Sequence, residues 1–578
     1  MRRAAHVAIA LVVTLASGAG LGACAQIPMS GPVRVGNADV EAQGDIALLP
    51  HGPGAGAAPN AIVSGFLGAA VAATTSPKEF QTAREFLTAD AKWDPQESVR
   101  VVREAPMPEP FDRGIELEGT DTVEIVVRAT TIATLDSVGA YTEVGTPREL
   151  GYRFTLVKVG GEWRISALDN GVLVPANLFA NQYRATRLFF PASNNVKSLV
   201  PDLRWFPRRN WRTVAVEEML AGPPEWLQGA AQSLVPEGTQ LASPSVQGTD
   251  DEEAVAVRLS EEISDARADQ RAVIAAQLSA TFSEGAGRTI AVDLFSGTNR
   301  LSVPATDVDL PATIVQPMAL KDDLLYLVEN GRLEDFDMPV DLSGINPTAL
   351  ALSPAARPIV VRDGHDRIVN VSLDGGPLTL MTGSDLAAPS VDKFEATWTS
   401  GGSGELRVAM GEGTDEDPLE EVTLKPDWLS GRKVISVSVA PEGSRVAIVS
   451  EAPSGTQVQV AGIVRDADGT PADLASAISV GAPVADVEEA RWAGLTTLAL
   501  LTRNNEGTSG VWTAGVGGLA GTGGQSRQLP GLTDVEQLAA GVTEQGILVV
   551  TKGGDLEHEE TGVWQPFAED VDLVAFPG

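Results

Sequence analysis

The chain has 578 residues, 43% of them hydrophobic, and carries 77 Asp+Glu against 42 Lys+Arg for a formal charge of −35. That length leaves room for roughly three or four domains, and a surface so negative disfavours nucleic acid and is repelled by anionic lipid head groups. One cysteine and four histidines exclude a disulfide, a zinc cluster or a cysteine nucleophile in the body of the chain.

The first residues are built like a secretory signal. Arg2 and Arg3 supply a positive start, His6 to Leu15 an apolar stretch, and Ala16 to Gly20 a run of small residues. The apolar stretch is too short to persist as a membrane-spanning helix. It ends in Leu21-Gly22-Ala23-Cys24, which resembles the bacterial lipobox. The resemblance implies cleavage before Cys24, a diacylglycerol on its sulfur and a further acyl chain on the new amino terminus. Several acyl chains on one residue anchor stably where one does not. Removing Arg2 and Arg3 takes the formal charge from −35 to −37, so the body is expected to stand away from the bilayer. A secreted protein with a stray cysteine near its cleavage site is the alternative. Residues 1–23 are thus the signal, and 24–59 the lipidated cysteine with a Gly- and Pro-rich tether (Gly31-Pro32, Pro50 to Gly56). Beyond the signal no apolar run reaches transmembrane length.

Residues 60–175 read as an α+β domain. Ile62 to Ala73 predicts an apolar helix. Ser76-Pro77 opens a second one through Phe80, Ala83, Phe86 and Leu87, with proline at its first position. Alternating strands follow at Val123, Ile125 and Val127 and at Tyr152, Phe154 and Leu156. Gly160-Gly161 between two such runs predicts a hairpin ahead of Glu162-Trp163. This ending resembles the cone-shaped fold of the nuclear transport factor 2 (NTF2) type, which hosts enzymes and non-enzymes alike.

Residues 178–305 read as a second α+β domain. Arg187 to Pro191 is a short strand. Asn210 caps a helix from Trp211 to Leu220, which Gly222-Pro223-Pro224 ends. After the acidic turn Asp250 to Glu253, Val255, Val257 and Leu259 alternate in a strand. Ile274, Leu278 and Phe282 share one helix face, and Thr289 to Leu294 is a closing strand. Phe189 through Glu217-Glu218-Met219-Leu220-Ala221-Gly222-Pro223-Pro224 to Thr239 resembles the GerMN domain of spore-germination and envelope lipoproteins.

Residues 306–578 contain internal repeats. Five segments begin at Leu350, Ala396, Val437, Ala490 and Leu538, each a short strand, a turn and a second apolar strand. Leu324 to Val328 belongs to an earlier unit. The spacing, near the 40–50 residues of a propeller blade, predicts five or six blades in a ring, since radial repetition protects sheet edges. A β-sandwich pair is the alternative.

Little chemistry is spelled out. His6 leaves with the signal, His51 lies in the tether, and His365 and His558 lie in polar stretches, a poor basis for a nucleophile–histidine–acid triad. The acidic run Glu412 to Glu421 and the half calcium loop Arg465-Asp466-Ala467-Asp468-Gly469 read as a solvated loop and a hairpin. Gly515 to Gly518 and Gly521 to Gly524 lack the Lys-Ser/Thr of a phosphate loop and read as a flexible connection.

The order of these units matters more than any one of them. Lipobox, NTF2-like domain, GerMN-like domain and propeller-like repeats together resemble the LpqB lipoprotein family of actinobacteria. The nearest stretches are Gly65-Phe66-Leu67, Ala83 to Thr88, Trp205, Leu220 to Pro223 and Ala275 to Leu278. The expected fold class is two α+β domains followed by an all-β propeller-like domain. The resemblance implies a cell-membrane lipoprotein, lipid-anchored on the extracytoplasmic face. It would contact the extracytoplasmic domain of the sensor kinase MtrB and modulate the MtrAB two-component system, affecting cell-wall homeostasis and division. It implies no enzyme and no cofactor, and only Cys24 carries over as a site. The alternatives are a lipoprotein that binds cell-wall glycan or peptide, an envelope hydrolase or lyase using carboxylates, and a scaffold for outer-membrane assembly.

Overall fold

A computed structural model of the chain describes residues 51–578, apart from 74–79, 109–120, 248–253, 285–287, 311–315, 337–339, 356, 373–375, 412–418, 542–545 and 561. In the first domain the apolar run becomes the helix Pro59–Ala73, buried along most of its length. It packs on a sheet whose strands run in the order Glu162–Ala167, Tyr141–Val159, Thr122–Asp136, Ser98–Val102, Val172–Pro175. Phe66 meets Trp93 and Phe154 edge-on at ring distances of 4.9 and 6.0 Å. Gly160 and Gly161 both take positive φ, +60° and +88°, as a tight hairpin turn requires. The second predicted helix is shorter than expected. Its start at Ser76-Pro77 lies outside the described residues, and among those described only Gln81–Arg84 is helical. Leu87 instead bridges to Ile165 at the edge of the sheet, because Phe86 and Leu87 are needed in the core.

The second domain starts with an antiparallel hairpin, Tyr183–Pro191 against Leu199–Pro207. The short strand expected at Arg187 is therefore longer and has a partner. The helix Trp211–Ala221 ends at Gly222 with φ +94°. Asn210 precedes it without making a side-chain capping bond. Ala254–Leu259 pairs in parallel with Ala291–Ser296, and the helix Ala268–Ser283 makes the crossover that parallel pairing requires. Ile274, Leu278 and Phe282 face the core as their spacing predicts. Buried Gln277 donates to the Phe189 carbonyl at 2.6 Å and ties helix to hairpin.

Among the described residues, the rest of the chain forms six antiparallel sheets, five of four strands and one of five. From the inside outward, the second blade is Pro347–Leu352, Ile359–Asp363, Arg367–Asn370 and Leu378–Thr382. The innermost strands Leu573–Ala575, Pro347–Leu352, Ser390–Val391, Lys433–Val439, Val487–Trp492 and Val535–Ala540 touch in succession and return to the first, closing a ring. The closure is made by the end of the chain. Leu573–Ala575 pairs with Met318–Lys321 and becomes the inner strand of the first blade.

The repeats were in phase except in one blade. Ala396 to Ser400, read as the first strand of a repeat, contains Thr397–Thr399, the second strand of the third blade. Its inner strand is only Ser390–Val391. Hydrogen bonds replace apolar alternation there. Asp392, fully buried, accepts from the Phe394 and Ala396 amides at 2.9 and 3.0 Å, the Trp398 indole at 2.9 Å and Arg465 at 2.6 Å.

Candidate functional site

Two places bring functional groups together: a seam where three domains meet, and the channel along the axis of the propeller. The seam is organised by Trp205, near the end of the second domain's hairpin. Its amide donates to the Gly139 carbonyl of the first domain at 2.9 Å, and its indole donates to the Gly517 carbonyl of the propeller at 2.9 Å. Its ring packs beside Tyr141 of the first domain and Phe179 of the helix Ala176–Gln182, at 5.8 and 5.1 Å. Buried aromatic anchors of this kind carry much of an interface's energy.

The glycine-rich segment after the fifth blade's third strand is a clasp, not a free connection. Gly517, Gly518 and Gly524 all have positive φ, between +84° and +94°. A Cβ on Gly517 would strike the Leu203 carbonyl, and one on Gly524 the Tyr141 ring. Here glycine serves close approach as well as backbone freedom. Just beyond, Glu143 of the first domain accepts from the Ser526 amide and hydroxyl at 2.7 and 2.6 Å. Burial raises the Glu143 carboxyl above its usual range, while the two Ser526 bonds pull it back. Burial, and then the charge of Glu143, push the Tyr141 phenol up as well. Among the described residues the Tyr141 hydroxyl has no hydrogen-bond partner.

Buried ion pairs finish the joint. Arg204 meets Asp202 at 2.7 Å and Glu218 at 2.6 Å and donates to the Val138 carbonyl at 3.2 Å. Arg445 is paired with Glu442 at 2.6 Å, stacks over Trp492 at 4.5 Å, and donates to the Pro201 carbonyl at 3.4 Å. Apolar packing runs unbroken from Leu188 and Phe206 of the second domain to Ala447, Val484 and Val516 of the propeller.

The channel encloses about 450 Å³ between the innermost strands. At one end Ser198 of the second domain and Asp309, just beyond that domain, overhang it, and Lys393 donates to the Ser198 hydroxyl at 2.8 Å. At the other end stand Thr348, Arg362, Glu488, Glu489, Arg491 and Glu536. Arg491 donates to Glu489 at 2.7 Å and Arg503 to Glu488 at 2.9 Å.

Comparison with known proteins follows the same three-part division. Residues 52–180 match the model of the lipoprotein LpqB N-terminal domain, and 323–576 that of the lipoprotein LpqB beta-propeller domain. Residues 187–293 match a model described as sporulation and spore germination. The lipoprotein LpqB of Bifidobacterium longum is 28% identical over 493 residues, covering 82% of this chain and 81% of that one. The chain belongs to the LpqB lipoprotein family. Its namesake from Streptomyces avermitilis is 25% identical and covers 96% of both chains. That of Nocardia farcinica is 32% identical over 42% of this chain and 36% of its own.

In this LpqB family member Cys24 and the lipobox residues Leu21, Gly22 and Ala23 lie outside the described residues, as do Asp250 to Glu253 and most of the acidic run from Glu412. No helix among the described residues is long and apolar enough to cross a membrane. Glu421, at the end of that run, pairs with Arg407 at 2.6 Å. His365 sits at the tip of the hairpin joining Ile359–Asp363 to Arg367–Asn370. Asp466 closes its own hairpin by accepting from the Asp468 and Thr470 amides, both at 3.0 Å. His558 lies on a strand of the sixth blade against Phe567, at 5.5 Å. Sequence reasoning missed Gly139, Tyr141, Leu203, Glu143 and Ser526, whose roles exist only once three domains are folded together. The one available signal was the glycine pair Gly517-Gly518.

Proposed function

We propose that the chain is an extracytoplasmic lipoprotein, held on the cell membrane through Cys24, that binds the extracytoplasmic domain of the sensor kinase MtrB and modulates the MtrAB system without chemistry of its own. The observation that carries the reading is the seam. Three domains locked by Trp205, the glycine clasp and buried ion pairs offer a partner one preformed surface, so little ordering cost falls on binding. The stretch from Cys24 to Pro50 spans at most about 90 Å when extended. That keeps the body within reach of a kinase in the same membrane and raises its effective concentration. The acidic surface keeps it off anionic head groups. To bias signalling, the protein binds two states of the kinase with different affinities.

The test is a titration of residues 25–578, without lipid, against the isolated extracytoplasmic domain of MtrB. Saturable binding supports the reading. No binding at high micromolar concentration, with folding intact, overturns it.

A further inference from the structure

Arg362, on the second strand of the second blade, reaches the channel with its charge unmatched. Its Nε donates to the Thr348 hydroxyl at 2.9 Å and one Nη to the Leu386 carbonyl at 3.0 Å. Both acceptors are neutral. No carboxylate among the described residues lies within ion-pair distance, and its second Nη has no partner there. This is unusual in a chain with 77 acidic and 42 basic residues. Arg204, Arg445, Arg465 and Arg491 each meet a carboxylate. Burial disfavours the charged guanidinium of Arg362, and neighbouring Arg491 adds to that against the pull of Glu489 and Asp385. The group stays ionised all the same, and a partly buried cation without a counterion is costly unless something else supplies one.

We propose that the central channel is a binding site for a small monocarboxylate with an apolar body, its carboxylate received by Arg362. The channel, at about 450 Å³, falls in the size range of small-molecule sites. The fixed guanidinium offers its free edge without first having to order itself. Ala349, Ala351, Ile435, Val439, Ala539 and Val574 line the channel with short apolar side chains, and the apolar body lies along them. Glu488, Glu489 and Glu536 at the same end select against ligands bearing several negative charges. This site is independent of the kinase reading and stands or falls without it.

The experiment uses the full chain solubilised in detergent and calorimetric titration with three probes: acetyl-alanyl-alanine, its carboxamide, and inorganic phosphate. The expected result is saturable binding of the free acid, at least tenfold weaker binding of phosphate, and none of the carboxamide. Arg362→Gln should weaken binding of the acid at least tenfold. Arg407→Gln, which breaks the pair with Glu421 outside the channel, should leave it unchanged. Equal binding of acid and carboxamide, no binding of the acid to the wild type, or full affinity in a folded Arg362→Gln would each overturn the proposal. The acid–carboxamide comparison needs no variant, so it decides even if Arg362→Gln does not fold.

Discussion

At the seam, Arg204 and Arg445 are each closed off by carboxylates and backbone carbonyls, whereas in the channel Arg362 bonds, among the described residues, only a hydroxyl and a carbonyl. The propeller takes part in both regions, and both hold arginine at least partly out of water. The difference lies in what finishes each site. The seam is completed by other parts of the same chain, so its donors and acceptors are almost all used. Among the described residues no carboxylate completes the channel's Arg362, which keeps a spare donor.

The comparison can be broken most severely at Trp205. Trp205→Ala removes a buried ring and the bond to Gly517 and should cost about 3–5 kcal/mol, read by urea unfolding. Limited proteolysis should then cut near residues 517–526, which an ordinary core truncation far from the seam would leave protected. Unchanged protection would mean that Trp205 does not hold the domains together.

A paired glycine test sharpens the point. Gly517 and Gly521 have nearly the same φ, +84° and +83°, but a Cβ on Gly521 meets nothing within 4 Å. Gly521→Ala should cost only the left-handed backbone strain, about 1–2 kcal/mol. Gly517→Ala adds a backbone collision and should cost clearly more in the same unfolding assay. Equal costs would reduce the clasp to a matter of conformation.

Tyr141 tests a visible defect of the seam. Its hydroxyl is buried without a partner among the described residues, and an unsatisfied group costs about 1–3 kcal/mol. Tyr141→Phe should therefore raise the melting temperature or leave it unchanged. A marked loss would reveal a role for the hydroxyl.

The smallest effect concerns pH. Because burial holds the folded Glu143 carboxyl above its ordinary 4.5, the folded chain binds that proton more tightly than the unfolded one. The resulting stabilisation is fully present below 4.5 and is lost as pH rises through the folded value. Glu143→Gln should flatten that part of the urea midpoint's pH profile. An identical slope in the variant would place the dependence elsewhere.

Much of the fold was legible because burial leaves a periodic trace. The second strands of the blades, such as Val446 to Val449 and Ile547 to Val550, are buried on both faces and so read as continuous apolar runs. The Gly160-Gly161 hairpin was legible because its turn needs positive φ. The third blade's inner strand was not, since Ser390 and Asp392 are buried through hydrogen bonds instead of apolar contact. Nor was Leu573–Ala575, three residues whose partner strand begins at Met318. The glycine clasp was misread for a physical reason. Glycine permits a loose turn and a tight approach equally, and only the neighbour, here Leu203 or Tyr141, decides which.

The most direct test of the central claim is kinase activity in vesicles. Full-length MtrB would be reconstituted with lipidated protein, with a Cys24→Ser form added in solution at the same bulk concentration, or with neither, and its autophosphorylation rate measured. The account predicts that the lipidated protein changes the rate, and that the soluble form needs a much higher concentration to do the same. No change with the lipidated protein, or equal potency of the two forms, would contradict it.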